Sequence, residues 1–170
     1  MMNLISSLLL LLSALIGPAV SGEKEKYVCL PCGQDCDLKE FESPGKCPHC
    51  RMELVVKSKV IFKTIKPTEI CLYIASHPDV LLLDVRTKRE FEGKSHPNFG
   101  TLKNAINIPI GEINERIMEL DQYKNHDIVV FCSHSHRSPQ VSYLLTQKGF
   151  KNVSNMSGGM SVVSDPACKK

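Results

Sequence analysis

The sequence predicts an α/β protein: a mainly parallel sheet flanked by helices, with a small Cys-rich knuckle in front of it. Three observations carry this expectation. After residue 58, short apolar runs alternate with helix-patterned stretches, the mark of strand–helix–strand units. Five of the eight Cys fall within residues 29–50, a clustering that suits metal ligands better than an evenly spread disulfide framework. The first 21 residues contain no Lys, Arg, Asp or Glu, which sets them apart from everything downstream. The chain therefore divides into 1–21, 27–54 and 58–170.

Composition agrees with a packed protein. Of 170 residues, 42% are hydrophobic and 23% charged, which excludes wholesale disorder. The net charge is only +3, and the signs alternate along the chain. A basic face interleaved with aromatics is absent, so no nucleic-acid partner is expected.

Residues 1–21 read as a signal peptide. Leu4 to Ile16 is almost wholly apolar, Gly17-Pro18 breaks a helix, and Ala19 and Ser21 suit a small-residue cleavage site. The run is shorter than the ~20 residues of a membrane span. The expected location is periplasmic or otherwise extracytoplasmic, with no membrane association after cleavage. The segment lacks a basic start, so an uncleaved N-terminal anchor is the alternative.

In 27–54, Cys29-x-x-Cys32 and Cys47-x-x-Cys50 are separated by 14 residues. Each tight knuckle turns two sulfurs toward one point, and two knuckles complete a tetrahedral four-thiolate site. The intervening residues are too polar to bury much, so a metal would supply most of the folding energy. Cys29, Cys32, Cys47 and Cys50 are the expected ligands, with Cys36 and His49 as possible replacements. Two disulfides are the alternative in an oxidising compartment. Tyr27-x-Cys29, Pro44-Gly-Lys-Cys47-Pro-x-Cys50 and Met52-x-Leu54 resemble the small heavy-metal-binding domains of copper and other metal-efflux proteins. Such domains often carry His at the position of Cys32 and Gly at that of Arg51. The extra thiol suits zinc or a softer ion such as Cu(I). Met52 is read as packing rather than as a ligand.

In the second domain, Val60–Phe62 is expected as a strand. Pro67 to Ser76 follows as a helix with Pro in its first turn. Val80–Val85 is a continuous apolar run broken by Asp84, as in a buried parallel strand. Arg89–Glu92 forms a helical turn, Ala105–Ile108 a strand, and Ile113–Leu120 a helix. Asp127–Phe131 is a strand, Ser138–Lys148 a helix, and Val153–Asn155 the last strand.

A site is expected where a strand's carboxyl end meets the next helix. There Phe131 is followed by Cys132-Ser133-His134-Ser135-His136-Arg137 and then Ser138-Pro139. Loop N–H groups, the helix dipole and the Arg137 charge all favour thiolate, so Cys132 is expected to titrate low. Ser138 is expected to cap the helix, with Pro139 as its first residue. Cys71 reads as core, and Cys168 as a tail residue or a resolving thiol.

Residues 80–160 resemble a single-domain rhodanese. The likeness rests on Leu83-Asp84-Val85-Arg86, Glu90-Phe91, His96, Ala105–Pro109, the Cys132–Arg137 loop, Gly149-Phe150 and Gly158-Gly159-Met160. It implies sulfur transfer through a persulfide on Cys132, with Arg137 closing the loop. Ser133, His134, Ser135, His136 and Ser138 would line the substrate site, and Asp84 and Arg86 would support it. It also implies a small sulfur donor, a thiol or cyanide acceptor, and no cofactor for the reaction. Cys132 and Arg137 are separated by four residues, whereas phosphatases and arsenate reductases of the same fold use five to house a tetrahedral oxyanion. Ser133 stands where many rhodaneses carry Arg, and Ser135 where many carry Gly. The mouth is thus less cationic, which disfavours doubly charged thiosulfate relative to a persulfide or polysulfide. Charge there would come from His134 and His136 in acid. The extended His96–Lys103 connection is placed at the rim without a chemical role. Two other readings remain: a catalytically silent module binding metal or sulfide, and a thiol-redox or soft-metal delivery protein.

Overall fold

The computed structural model describes residues 24–170. The expected signal segment lies outside the described residues. Among these, no helix is long and apolar enough to cross a membrane.

The N-terminal part is a three-stranded antiparallel sheet. Strands β1 (Tyr27–Val28), β2 (Glu40–Phe41) and β3 (Val55–Val56) lie in the order β2-β1-β3. Two-residue strands hold little by themselves. The mass of this part is its cysteines: Cys29, Leu30, Cys32, Cys36, Cys47 and Met52 are all buried. Met52 packs here, as expected.

The main sheet has five parallel strands: β4 (Lys63–Ile65), β5 (Leu81–Asp84), β6 (Ile106–Asn107), β7 (Asp127–Phe131) and β8 (Asn152–Met156). Their order is β4-β8-β7-β5-β6. Four helices flank them: α1 (Ile70–Ser76), α2 (Lys88–Phe91), α3 (Ile113–Arg116) and α4 (Ser138–Gln147), with α3 running on as tighter 3₁₀ turns over Ile117–Tyr123.

Strand alternation divides the core. On β7, Ile128 and Val130 join Val141 and Leu145 of α4, with Cys132 next in the same phase. Val129 and Phe131 join a second cluster with Ile70 of α1, Leu82 and Met156. The first cluster also contains the buried cysteines and Met52 of the N-terminal part together with Phe62, and Tyr143 and Leu144 of α4 pack against the same cluster. The two sheets therefore share one apolar seam, reinforced where Gln147 Nε2 donates to the Lys59 carbonyl at 3.2 Å.

The seam explains the one displaced strand. The apolar run Val60–Phe62 was the expected strand, but β4 begins three residues later at Lys63. Val60 and Phe62 are drawn into the seam. An edge strand needs little burial of its own, and within β4 only Ile65 is buried. The expected helix from Pro67 starts at Ile70, with Pro67 left in the preceding turn. The expected helix Ile113–Leu120 is α-helical only to Arg116 and continues as 3₁₀ turns to Tyr123; the remaining elements fall within one or two residues of expectation.

Two cysteines are placed differently from expectation. Cys71 of α1 and Cys168 near the chain end form a disulfide across 97 residues. The tail is also hydrogen-bonded: Thr101 and Lys170 exchange both backbone bonds at 3.0 and 2.7 Å, and Lys103 N donates to the Cys168 carbonyl at 2.8 Å. Chain-entropy reasoning gives about 4–5 kcal/mol for closing a loop of that length. The Cys71→Ser/Cys168→Ser double variant is therefore expected to lose about 4 kcal/mol in urea unfolding, with the main sheet's circular dichroism retained before the transition.

Candidate functional site

The register of the main sheet brings two loops together. Asp84 pairs with Phe131, so β5 and β7 end side by side, and Val85 N donates to the Phe131 carbonyl at 3.0 Å. Side chains 84–86 and 132–137 thus meet at one carboxyl edge.

Cys132 is 1% exposed at the base of its loop. Ser138 Oγ lies 3.4 Å from its sulfur. Burial pushes the thiol up, but the Ser138 hydroxyl and the backbone N–H groups of Ser138, Arg137 and His134 outweigh it, and the net shift is down. The sulfur therefore favours thiolate more than a free cysteine does, as expected. Ser138 differs in detail from its expected role. Arg137 occupies the cap position without a side-chain cap bond, and Ser138, the first helical residue, turns its hydroxyl to the sulfur instead.

The loop is anchored from behind. Met160 N donates to the Cys132 carbonyl at 2.8 Å, and Ser161 N to the Ser133 carbonyl at 3.0 Å. Gly159 permits this approach: a Cβ there would sit 2.4 Å from the Cys132 carbonyl oxygen. Ser135 has φ +61°, the left-handed region that favours the Gly it replaces. It is 2% exposed, and Asn155 Nδ2 of β8 donates to its hydroxyl at 3.4 Å.

The charge of Arg137 is taken up by a carboxylate. Its guanidinium donates twice to Glu90 of α2, both at 2.7 Å, and Ser133 Oγ donates to the same carboxylate at 2.8 Å. Arg137 holds the Glu90 carboxyl well below the usual range. Glu90 also closes a capping box with Thr87 at the start of α2. Its role at the loop was missed in the sequence; the only signal was its place in the Glu90-Phe91 motif. Asp84 and Arg86 form a second closed pair at 2.6 Å, with side chains 0% and 1% exposed.

His134 and His136 are exposed at the mouth. The His134 ring meets Phe99 edge-on, with centroids 5.3 Å apart at 86°. Phe99 belongs to the extended rim connection, which is therefore in contact with the loop.

A second cluster lies in the N-terminal part. The sulfurs of Cys29, Cys32, Cys36 and Cys50 all lie within 4.8 Å of one another. Tetrahedral zinc with Zn–S near 2.3 Å places its sulfurs about 3.8 Å apart, so these four fit a metal ion. Cys36, expected only as a possible replacement, is in this group, and Cys47 is not. The reason is the 3₁₀ turn Asp35–Leu38, which buries Cys36 completely. Asp37 at its centre accepts from the N–H groups of Cys32 and Gly33 and so folds the turn back on the first knuckle. Cys47 is also fully buried and remains beside the group as a fifth thiol. His49 is turned away, 3.1 Å from Lys39 Nζ on the surface. The expected alternative of two disulfides is not what the structure holds, since all five cysteines are free thiols. Arg51 adopts φ +63°, where the resembling domains often place Gly.

Residues 72–165 match the rhodanese-like domain family. The chain belongs to that family. A sulfurtransferase from Allochromatium vinosum is 33% identical to this rhodanese-like chain over 87 residues, 51% of it and 74% of that protein. A tRNA uridine(34) hydroxylase from Acinetobacter baumannii is 28% identical over 139 residues, 73% of the chain but 42% of that enzyme. The chain thus spans about two-fifths of the length of such hydroxylases. The solved rhodanese-like domain protein from Staphylococcus aureus superposes with a TM-score of 0.53 at 26% identity, covering 64% of this chain and 97% of that one. Placed in this family, Cys132, Arg137 and the Gly158-Gly159 turn occupy one carboxyl edge of a parallel sheet, as the sequence motifs imply.

The Ser138 contact predicts a pH effect. Because the folded Cys132 sits below the ordinary thiol value near 9.0, its alkylation by iodoacetamide should rise with pH to a midpoint below that value. Ser138→Ala removes a donor to the thiolate, so the midpoint is expected to move upward, while Ser142→Ala on the same helix leaves it in place.

Proposed function

We propose that this rhodanese-like chain is an extracytoplasmic sulfurtransferase that carries sulfane sulfur as a persulfide on Cys132. The carrying observation is the buried Cys132 sulfur, ringed by N–H and hydroxyl donors that favour its anion. Cys132 is 1% exposed at the base of its loop. The four-residue interval to Arg137 suits a sulfane sulfur better than a tetrahedral phosphate.

The chemistry needs no general base. The Cys132 thiolate attacks the outer sulfur of a donor, forming a new S–S bond. The donor's S–S bond breaks, and the donor leaves with the electron pair as an anion. A cyanide or thiolate acceptor then attacks the outer sulfur of the persulfide and restores the Cys132 thiolate. The loop donors stabilise the anionic sulfur at each stage, because they are fixed in place before the charge develops. Arg137 acts through geometry: paired with Glu90 and 3.1 Å from Ser133 Oγ, it fixes the loop's far end.

Export is supported by the apolar 1–21 segment and by the Cys71–Cys168 disulfide, which suits an oxidising compartment. The knuckle is read as a structural zinc site, or one for another soft ion, held by Cys29, Cys32, Cys36 and Cys50. Its position on the shared seam supports a folding role for the metal.

Two outcomes test these readings. Incubation with a sulfane-sulfur donor should add about 32 Da, one sulfur atom, to the intact protein, and Cys132→Ser should abolish the gain. No gain on reduced protein would leave the chain as a silent or metal-handling module. Purified protein should carry about one zinc per chain. Cys36→Ser should lower that content at least as much as Cys47→Ser, measured by elemental analysis on protein refolded with limiting zinc.

A further inference from the structure

We infer that Phe99 and His134 form an aromatic lip that selects an organic persulfide, rather than the thiosulfate dianion, as the donor to Cys132. This rests on the sulfur-carrier reading of Cys132 and concerns the part of the donor that is not transferred.

The first support is the disposition of charge. Both guanidinium groups near the loop are closed off: Arg137 by two bonds to Glu90, Arg86 by Asp84 and the Gly100 carbonyl. Ser133, at a position where an Arg would add a third cation, instead donates to Glu90. Arg137, Glu90, Arg86 and Asp84 sum to no net charge. What faces the sulfur is a set of hydroxyl and backbone dipoles at the start of a ten-residue helix. These are matched to one anionic sulfur and offer no free cation to a dianion stripped of water. The rim also carries the two imidazoles of His134 and His136 and the Lys169 side chain, which passes Gly100 and spends its ammonium on the Val163 carbonyl at 3.1 Å.

The second support is the lip itself. Phe99 is half-buried, with its ring against the exposed His134 imidazole and packed on the cluster that includes Leu82, Phe131 and Met156. The backbone bearing it is held on both sides. Asn98 bridges Gly93 and Gly100, donating to the Gly93 carbonyl at 3.2 Å and accepting from Gly100 N at 2.9 Å. Arg86 donates to the Gly100 carbonyl at 2.8 Å. Thr101 donates to Asp84 and pairs with Lys170. An aromatic surface held this way before the donor arrives costs little further ordering on binding. Its rings offer apolar area to a carbon skeleton and nothing specific to an inorganic oxyanion.

The third support is depth. Cys132 lies at the base of the loop and the lip at its mouth. A hydropersulfide R–S–SH extends its terminal sulfur ahead of its organic part, so one molecule can meet both. The Cys132 thiolate bonds to the terminal sulfur, the donor's S–S bond breaks, and the thiolate RS⁻ departs from the lip with the electron pair and takes a proton from solvent. Cys132 is left as its hydropersulfide.

The test is steady-state transfer to cyanide by the full oxidised protein, with glutathione persulfide and thiosulfate as alternative donors. Wild type should show the higher kcat/KM with glutathione persulfide. Phe99→Ala should raise KM for that donor about tenfold, the loss of roughly one partly buried aromatic contact, with kcat within about twofold and thiosulfate KM unchanged. Phe99→Tyr should keep most of the wild-type preference and guards against a folding defect. So does an unchanged Cys132 alkylation midpoint in each variant. Equal loss with both donors, an unchanged KM for the persulfide, or a wild-type preference for thiosulfate overturns the lip. Failure of both donors to load Cys132 in wild type overturns instead the sulfur-carrier reading beneath it, so the two failures are distinct.

Discussion

Asp84 and Arg86 form an ion pair closed to water at the end of β5. Taking two charges out of water is costly, and the cost is offset only when almost every hydrogen-bonding position is filled. Here it is. Asp84 accepts from the Arg86 backbone, from its guanidinium and from Thr101 Oγ1. Arg86 also reaches the Gly100 carbonyl. Asn107 on β6 donates to the carbonyls of both residues at 2.9 Å. One pair thereby positions the end of β5, its neighbour β6, the rim connection and, through Thr101, the C-terminal strap. Removing either partner would leave a buried charge alone, and all four would lose their reference point.

The same design recurs at the catalytic loop. Arg137 and Glu90 neutralise each other between α4 and α2, and the nearest donors to the sulfur are the Ser138 hydroxyl and backbone N–H groups. The sequence points to Arg137 as a charge near the thiolate, and the two do interact, but it hides the carboxylate that Arg137 also pairs with. Its partner lies 47 residues away, and nothing local distinguishes a pairing glutamate from a solvated one. Fixed dipoles suit the persulfide carrier proposed for Cys132, since they attract negative charge without trapping it as an ion pair would.

What was legible followed from local pattern. The run Asp127–Phe131 is apolar on both faces because a central parallel strand is covered on both, and its bounds are those expected. The loop chemistry followed from Cys132 standing between that strand and Ser138-Pro139. Longer-range competition was less visible. Val60 and Phe62 look like a strand, but the seam with the N-terminal part takes them. Cys71 and Cys168 find each other only once α1 and the tail are folded. Cys36 enters the four-sulfur group because Asp37 pulls its turn inward, whereas C-x-x-C spacing alone pointed to Cys47. Ser135 and Arg51 adopt left-handed backbone at positions where the resembling families often use Gly, so the departures changed the residue without changing the turn.

The close approach of Gly159 reaches further than packing. A trans peptide is a rigid plate with its oxygen and its hydrogen on opposite edges. Met160 and Ser161 grip the oxygen edges of the plates that follow Cys132 and Ser133. The hydrogen edges, at Ser133 and His134, are thereby rotated to the other side, and the His134 edge faces the sulfur. One of the donors around Cys132, the His134 N–H, is thus oriented by a turn more than 20 residues downstream. Any side chain at position 159 would push that turn away, free the plates to spin, and disarm the nucleophile while every residue of its own loop stayed the same.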